Sequence, residues 1–228
     1  MTVRLGVLTI GESPRSDALT ADMQEALGSG YQLIERGALD TLSDADVAAL
    51  APTAGEYTLI TLRASGQPVR LSKPKILARL QEQITRLEQE DGVAGTLLMC
   101  TGAFPPFQHT RLLLQPQEAL YKVVLGLAAG GLPASLTPLP EQVEQTRRKW
   151  ADMGAPGALS VPANPYGPDP LGEIRAAARQ AREQGGTVLF MDCFGYTLAM
   201  KEAARDGFGG PVVLARSMAA RILAEVTA

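Results

Sequence analysis

The stretch GTLLMCTGA, residues 95–103, decides the fold of this 228-residue chain. It opens with a short, almost continuously apolar run, which is typical of a strand buried on both faces of a parallel sheet. A second stretch, TVLFMDCFGYT at residues 187–197, has the same character. In each stretch a cysteine, Cys100 or Cys193, comes at the end of the apolar run. Because open α/β sheets bind ligands beyond the carboxyl ends of their strands, these two strand ends are the first candidate functional sites.

Apolar runs of strand length alternate with amphipathic helical patterns throughout the chain, and this alternation predicts a parallel α/β topology. The clearest helix begins at Ser72 and ends at Asp91-Gly92. The other predicted helices cover 17–27, 44–51, 116–128, 140–150, 171–184 and 217–226, with Ser13 as the cap of the first. The predicted strands cover 3–10, 31–35, 58–63, 69–71, 95–100, 112–114, 133–139, 158–161, 187–192 and 211–215.

The sequence has a loose two-fold recurrence, in which a helix, a glycine stop, an apolar strand, a cysteine and a turn come twice. We therefore expect two α/β lobes. The stretch 102–111 is rich in proline and glycine, which predicts that the chain crosses there from one lobe to the other.

Composition narrows the class of protein. Hydrophobic residues make up 46% of the chain and charged residues 20%, which allows a sizeable core. The net charge is −3 and basic residues are scattered among acids, which argues against nucleic acid as a partner. Apolar runs stay well short of the roughly 20 residues of a membrane helix, and the chain starts with a strand pattern rather than a signal peptide. We therefore expect a cytoplasmic protein with free thiols and no membrane partner.

The single histidine, His109, restricts the chemistry further. A zinc site with ordinary His and Cys ligands cannot be assembled from it, so we expect no metal. A catalytic pair of Cys or Ser with His would have to use His109, whose loop-like segment is typical of a solvated side chain. The cysteines lack Cys-x-x-Cys spacing, which argues against a redox dithiol. The glycines at 28–30 end a helix rather than begin one, which argues against a dinucleotide site.

The residues beside each cysteine are candidate ligand contacts. Backbone N–H groups exposed at such a strand end bind carboxylates, and a positive local potential makes a thiolate available. The alternative is that each cysteine is a small residue of the core. Asp192 should point to the opposite side of its strand, into a structural hydrogen bond. The candidate contacts are Thr101, Gly102, Phe194, Gly195, Tyr196 and Thr197.

Four further residues come from loops that the pattern places near strand ends. Ser13 and Arg15 lie in the first loop after a strand, and Arg15 is suited to pair with a carboxylate. A helix cap with a solvated arginine is the alternative. Arg63 ends the third strand. Asn164 lies in a turn-rich loop of a kind that carries functional residues, although an Asx turn is its alternative role.

Four motifs carry a resemblance to a known family: LTIG at 8–11, LAPTAGE at 50–56, DCFG at 192–195 and PVVLAR at 211–216. Together they resemble the AroM family over nearly the whole length. That family is similar to the aspartate/glutamate/hydantoin racemase superfamily. The resemblance implies two pseudo-symmetric lobes with mostly parallel sheets, and a C-terminal strand and helix that return to the first lobe. The lobes are then 1–111 plus 209–228, and 112–208.

The resemblance also implies a reaction. Cys100 and Cys193 would face each other across the α-carbon of a small carboxylic acid in the cleft between the lobes. One thiolate would remove the α-proton and the other thiol would return a proton, with no metal or cofactor. A homodimer is the assembly that related folds suggest.

Two residues depart from the superfamily's pattern. Gly102 and Phe194 stand where its racemases carry hydroxyl residues, so an acid other than a standard amino acid, or a lyase or isomerase reaction, fits as well. The competing interpretation is a non-catalytic metabolite-binding or regulatory protein linked to aromatic amino-acid (shikimate) metabolism.

Overall fold

The computed structural model describes residues 2–17 and 19–227. The chain divides into two compact units, Met1–Pro116 with Ala219–Ala228, and Gln117–Met218. The elements of the first unit are β1 Val3–Thr9, α1 Leu19–Leu27, β2 Tyr31–Gly37, α2 Asp44–Ala49, β3 Thr58–Leu62, β4 Pro68–Ser72, α3 Lys73–Gln89, β5 Gly95–Met99 and β6 Leu112–Leu114. The elements that follow along the chain form most of the second unit. They are α4 Pro116–Ala128, β7 Leu132–Thr137, a short 3-10 helix Pro140–Gln142, α5 Val143–Asp152, β8 Leu159–Pro162, α6 Pro170–Glu183, β9 Gly186–Met191, α7 Leu198–Phe208, β10 Val212–Leu214 and α8 Ala215–Thr227, whose last part belongs to the first unit.

Each unit contains a four-stranded parallel sheet. The strand order is β2-β1-β5-β6 in one sheet and β8-β7-β9-β10 in the other. In both sheets, the strand that comes first along the chain pairs with the second strand on one side and with the third strand on the other. The fourth strand pairs with the third and forms the edge of the sheet. The antiparallel hairpin β3–β4 is an addition to the first unit. The predicted α/β class with two mostly parallel sheets is therefore confirmed.

Strand β5 is buried along its whole length, as its apolar sequence predicts. It pairs with β1, and α3 packs its apolar face, which includes Ile76, Leu80 and Ile84, into the same core. Pro74 lies in the first turn of α3, where the missing N–H costs no helical hydrogen bond. This packing fixes the position of the residue that follows β5.

Two strands lie in different sheets from those expected. Strand β6 pairs with β5 in the register Gly95↔Leu112, so it belongs to the first sheet rather than the second lobe. Strand β10 pairs with β9 in the register Val212↔Leu189, so the last strand does not return to the first lobe. Only the later part of α8, from Ala219 on, belongs to the first unit. There the Tyr31 hydroxyl donates to the carbonyl of Ala224.

Two helices also differ from the prediction. Helix α7 was not predicted, although its buried Met200, Ala204 and Phe208 have helical spacing. Helix α1 begins at Leu19 in the described residues, and Ser13 does not cap it. Instead, the N–H and hydroxyl of Ser13 both donate to the Asp40 carboxylate at 2.7 Å. Within residues 2–17 and 19–227, no helix combines the length and apolar character that crossing a membrane requires.

Candidate active site

Cys100 directly follows β5 and is half-buried. Its N–H donates back to the carbonyl of Leu98 at 2.8 Å, which turns the chain sharply out of the sheet. The N–H of Gly102 then points at the sulfur, with the nitrogen 3.4 Å from Sγ. The loop thus holds the thiol at the strand end with an N–H donor aimed at it.

Cys193 repeats this geometry in the second unit. Its N–H donates to the carbonyl of Met191 at 3.0 Å, and the N–H of Gly195 lies 3.2 Å from Sγ. Each cysteine follows the third strand of its sheet, next to the first strand, where the strand order reverses. In open parallel sheets this reversal point is where ligands bind.

The loop after Cys100 is packed tightly. Thr101 is buried. A Cβ atom on Gly102 would lie 3.1 Å from the ring of Phe104 and 3.2 Å from Leu59. Glycine at 102 therefore lets the backbone approach its neighbours closely.

Lys73 reaches this loop from the first position of α3, and sequence reasoning missed it. Its Nζ donates to the carbonyl of Ala103 at 2.8 Å and lies 4.3 Å from the centre of the Tyr57 ring. Burial lowers the pKa of the Lys73 ammonium, and the charge of Cys100 opposes that shift. The only sequence signal was a lysine at a strand-to-helix junction.

The loop after Cys193 is held by Arg216, which is fully buried. The Nε and Nη2 atoms of Arg216 both donate to the carbonyl of Phe194, at 3.0 and 2.6 Å. The hydroxyl of Tyr196 donates to the carbonyl of Ala163 at 2.7 Å. Burial raises the pKa of Tyr196 well above its ordinary value, and the charge of Cys193 adds to that shift.

The remaining residues of this loop also have structural contacts. Thr197 is the N-cap of α7, and its hydroxyl accepts the N–H of Met200 at 3.2 Å. A Cβ atom on Gly195 would lie 2.2 Å from the hydroxyl oxygen of Tyr166, so only glycine fits there without a shift. Their predicted contacts with a ligand stay predictions.

Asp192 directly precedes Cys193, and successive side chains of an extended chain point to opposite faces. The Oδ2 atom of Asp192 accepts from the Tyr121 hydroxyl at 2.5 Å and from Lys149 Nζ at 2.6 Å. The predicted structural hydrogen bond is thus confirmed. Trp150 packs on Tyr121 with the ring centres 4.2 Å apart, which closes the core around this ion pair.

Both predicted arginines are engaged with carboxylates of the chain itself. Arg15 donates twice to Asp17, at 3.1 and 2.7 Å, and its side chain is 3% exposed. Arg63 donates to Glu12 at 2.7 Å and to Asp44 at 2.9 Å. The hydrogen bond from Arg63 holds the pKa of Glu12 below its ordinary value. A ligand carboxylate would have to displace these partners.

Asn164 forms the Asx turn that was its alternative role, because its Oδ1 accepts the N–H of Tyr166 at 2.9 Å.

His109 lies in an exposed loop, with Nδ1 2.8 Å from the carbonyl oxygen of Arg111. The described part of the chain brings no three His, Cys, Asp or Glu side chains together in a way that would hold a metal ion.

A surface groove of about 280 Å³ lies away from the cysteines. Its lining includes residues 130–133, 154–155 and 157–158, at the amino ends of β7 and β8. Cys193 follows the carboxyl end of β9, which runs parallel to β7. The groove and Cys193 therefore lie at opposite ends of the strands.

The close approach of Gly11 to the hairpin shapes the first strand-end loop. A Cβ atom at Gly11 would lie 2.3 Å from Thr61 Oγ1 and 2.4 Å from the carbonyl oxygen of Leu62. We expect Gly11→Ala to destabilise the protein by about 1–3 kcal/mol through overpacking. Urea unfolding followed by circular dichroism measures this. Gly30→Ala, where no atom lies within 4 Å of the added Cβ, is the matched control and should change stability by less than about 0.5 kcal/mol. An equal loss in both variants would contradict the prediction.

Solved structures of three racemases have a similar fold. Allantoin racemase from Pseudomonas fluorescens matches with a TM-score of 0.64 and 14% identity, over 98% of this chain and 90% of that one. Picrophilus torridus aspartate racemase matches with 0.63 and 12%, over 99% and 94%. Glutamate racemase from Aquifex pyrophilus matches with 0.57 and 14%, over 98% and 83%. The chain therefore has the racemase-like α/β fold.

The family follows from the sequence itself. Residues 5–227 match the family model described as AroM protein, so the chain belongs to the AroM family. The predicted resemblance is thereby confirmed. A sequence comparison with curated proteins found no significant match.

Proposed function

We propose that this protein is a racemase or isomerase that acts on a small carboxylic acid by general acid–base catalysis, with Cys100 and Cys193 as the acid/base pair. The observation that carries the proposal is the equivalence of the two thiols. Each follows the third strand of a parallel sheet, and each accepts an N–H from the residue two positions on. A structural cysteine in one core would not require this repetition in the other.

In the proposed reaction one cysteine is a thiolate and the other a thiol. The thiolate removes the α-proton of the acid, and the electron pair of the broken C–H bond moves into the carboxyl group. The other thiol donates its proton to the opposite face of the α-carbon. The two cysteines end the turnover with their protonation states exchanged, so no proton or electron is gained or lost.

The growing negative charge on the carboxyl group needs hydrogen-bond donors that are already in place. Backbone N–H groups of the loops after the two cysteines are the proposed donors. Arg216 supports this role by holding the carbonyl of Phe194, because the loop then cannot relax when charge develops. The fold shared with aspartate and glutamate racemases favours a small acid as the substrate class.

Alkylation of the native protein tests the proposal. We expect both cysteines to react with iodoacetamide near pH 7, because each is the base for one enantiomer and must then be available as thiolate. Acids that raise the unfolding temperature in a thermal-shift screen should slow the reaction at both residues. Mass spectrometry of the digested protein assigns the modified cysteine.

Protein unfolded in urea is the control, because both thiols are then solvated. Two cysteines that react only in urea, or that no bound acid protects, would contradict the proposal. Cysteines that react only in urea would instead support a structural role for the thiols or a non-catalytic metabolite-binding protein.

A further inference from the structure

We propose that Lys73 binds the carboxylate of the ligand beside Cys100 and so selects acids over neutral compounds at this thiol. The inference rests on the proposed function and identifies the group that recognises the acid. Lys73 was not among the sequence candidates.

The position of Lys73 is well defined by its contacts. Lys73 is the first residue of α3 and directly follows the hairpin strand β4. Its Nζ donates to the carbonyl of Ala103, in the loop that begins at Cys100, and lies over the ring of Tyr57. An ammonium has three N–H donors, and the carbonyl uses one of them.

Lys73 differs from Arg15 and Arg63 in having no carboxylate as its ion-pair partner, although it feels the charge of Cys100. Arg15 pairs with Asp17, and Arg63 pairs with Glu12 and Asp44. Among the described residues, no Asp or Glu side chain lies within ion-pair distance of Lys73. Burial of an ammonium without a carboxylate partner is costly, and the carboxylate of a bound acid offsets that cost.

The loop after Cys100 has few donors for a ligand carboxylate, and Lys73 can supply one. Gly102 offers only its backbone N–H, which points at the sulfur of Cys100. An acid whose α-carbon faces the sulfur needs a further donor for its carboxylate, and Lys73 reaches the same loop. A lysine acts as a compact point charge, so it attracts carboxylates without fixing their orientation.

Two alkylating reagents separate anion recognition from thiol reactivity. In both reagents the thiolate attacks a CH₂ carbon and iodide leaves. Iodoacetate carries a carboxylate on that carbon, whereas iodoacetamide carries a neutral amide. The ratio of the two rate constants at one cysteine therefore cancels the thiolate fraction and reports attraction of the carboxylate.

We expect the iodoacetate-to-iodoacetamide ratio at Cys100 to exceed that at Cys193 in the wild type by about fivefold, the effect of one nearby charge in a solvated site. Lys73→Met should remove this excess. Lys73→Gln, which keeps a donor for Ala103, should do the same, and Lys73→Arg should retain most of it. The rates are measured separately at each cysteine by mass spectrometry.

Lys75→Met is the matched control, because it removes the same charge two residues away, where Nζ donates to the carbonyl of Ala51. A ratio at Cys100 that Lys73→Gln leaves unchanged, or that Lys75→Met lowers equally, overturns the inference while the proposed function stands. A Cys100 that is inert to both reagents in the native protein overturns the proposed function and this inference with it.

Discussion

Serine in place of either Cys100 or Cys193 is expected to lower the rate of α-hydrogen exchange by at least about 10²-fold, the lower end of what a positioned acid or base contributes. A serine hydroxyl fits the space of the thiol but does not ionise near neutral pH. The exchange is measured by proton NMR in D₂O, with an acid that the thermal-shift screen identifies.

The double variant is expected to be about as slow as each single variant, because residues that act as one unit are not additive. Unfolding temperature and binding of the acid are the controls. Both should stay close to the wild-type values, since serine preserves the turn at each strand end. Wild-type exchange in either single variant would rule out the pair.

Methionine in place of Lys149 is expected to destabilise the second unit by about 3–5 kcal/mol, the typical cost of removing one partner of a buried ion pair. The side chains of Lys149 and Asp192 are 9% and 0% exposed, and Nζ lies 2.6 Å from Oδ2. Without the ammonium, the Asp192 carboxylate keeps only the Tyr121 hydroxyl of these two donors. Trp150, the single tryptophan, is buried beside this pair, so its fluorescence during urea unfolding reports the loss.

Lys122→Met is the matched control, because Lys122 pairs with Glu118 on the surface of the same unit. It should cost less than about 1 kcal/mol, as exposed ion pairs do. The double variant Lys149→Met with Asp192→Asn should be less destabilised than the sum of its parts, because no unpaired charge is left buried. Equal effects of Lys149→Met and Lys122→Met would contradict the prediction.

Local patterns predicted the parts of the fold that depend on burial. The continuous apolar runs before Cys100 and Cys193 gave two central strands, and the spacing of Ile76, Leu80 and Ile84 gave helix α3. The same runs predicted that both cysteines lie at strand ends, because a strand buried on both faces ends where the apolar run stops.

Contacts between distant segments were beyond such patterns. The sheet to which β6 and β10 belong depends on strand pairing, which three-residue strands barely specify. Lys73 is one of two lysines around Pro74, and nothing local shows that it reaches the loop after Cys100, 30 residues along the chain from Lys73 to Ala103. The partners of Arg15 and Arg63 are carboxylates brought together by folding, so sequence reasoning left both arginines open to a ligand.

The most direct test of the cysteine pair is to follow each enantiomer of a bound acid separately in D₂O. If one thiol removes the proton and the other returns one, the first product molecules carry deuterium while the unreacted enantiomer keeps its hydrogen. This holds because the thiol that took the proton can only give the same proton back. Deuterium that enters the unreacted enantiomer faster than inversion occurs, or no exchange with any acid that binds, would contradict the proposed pair.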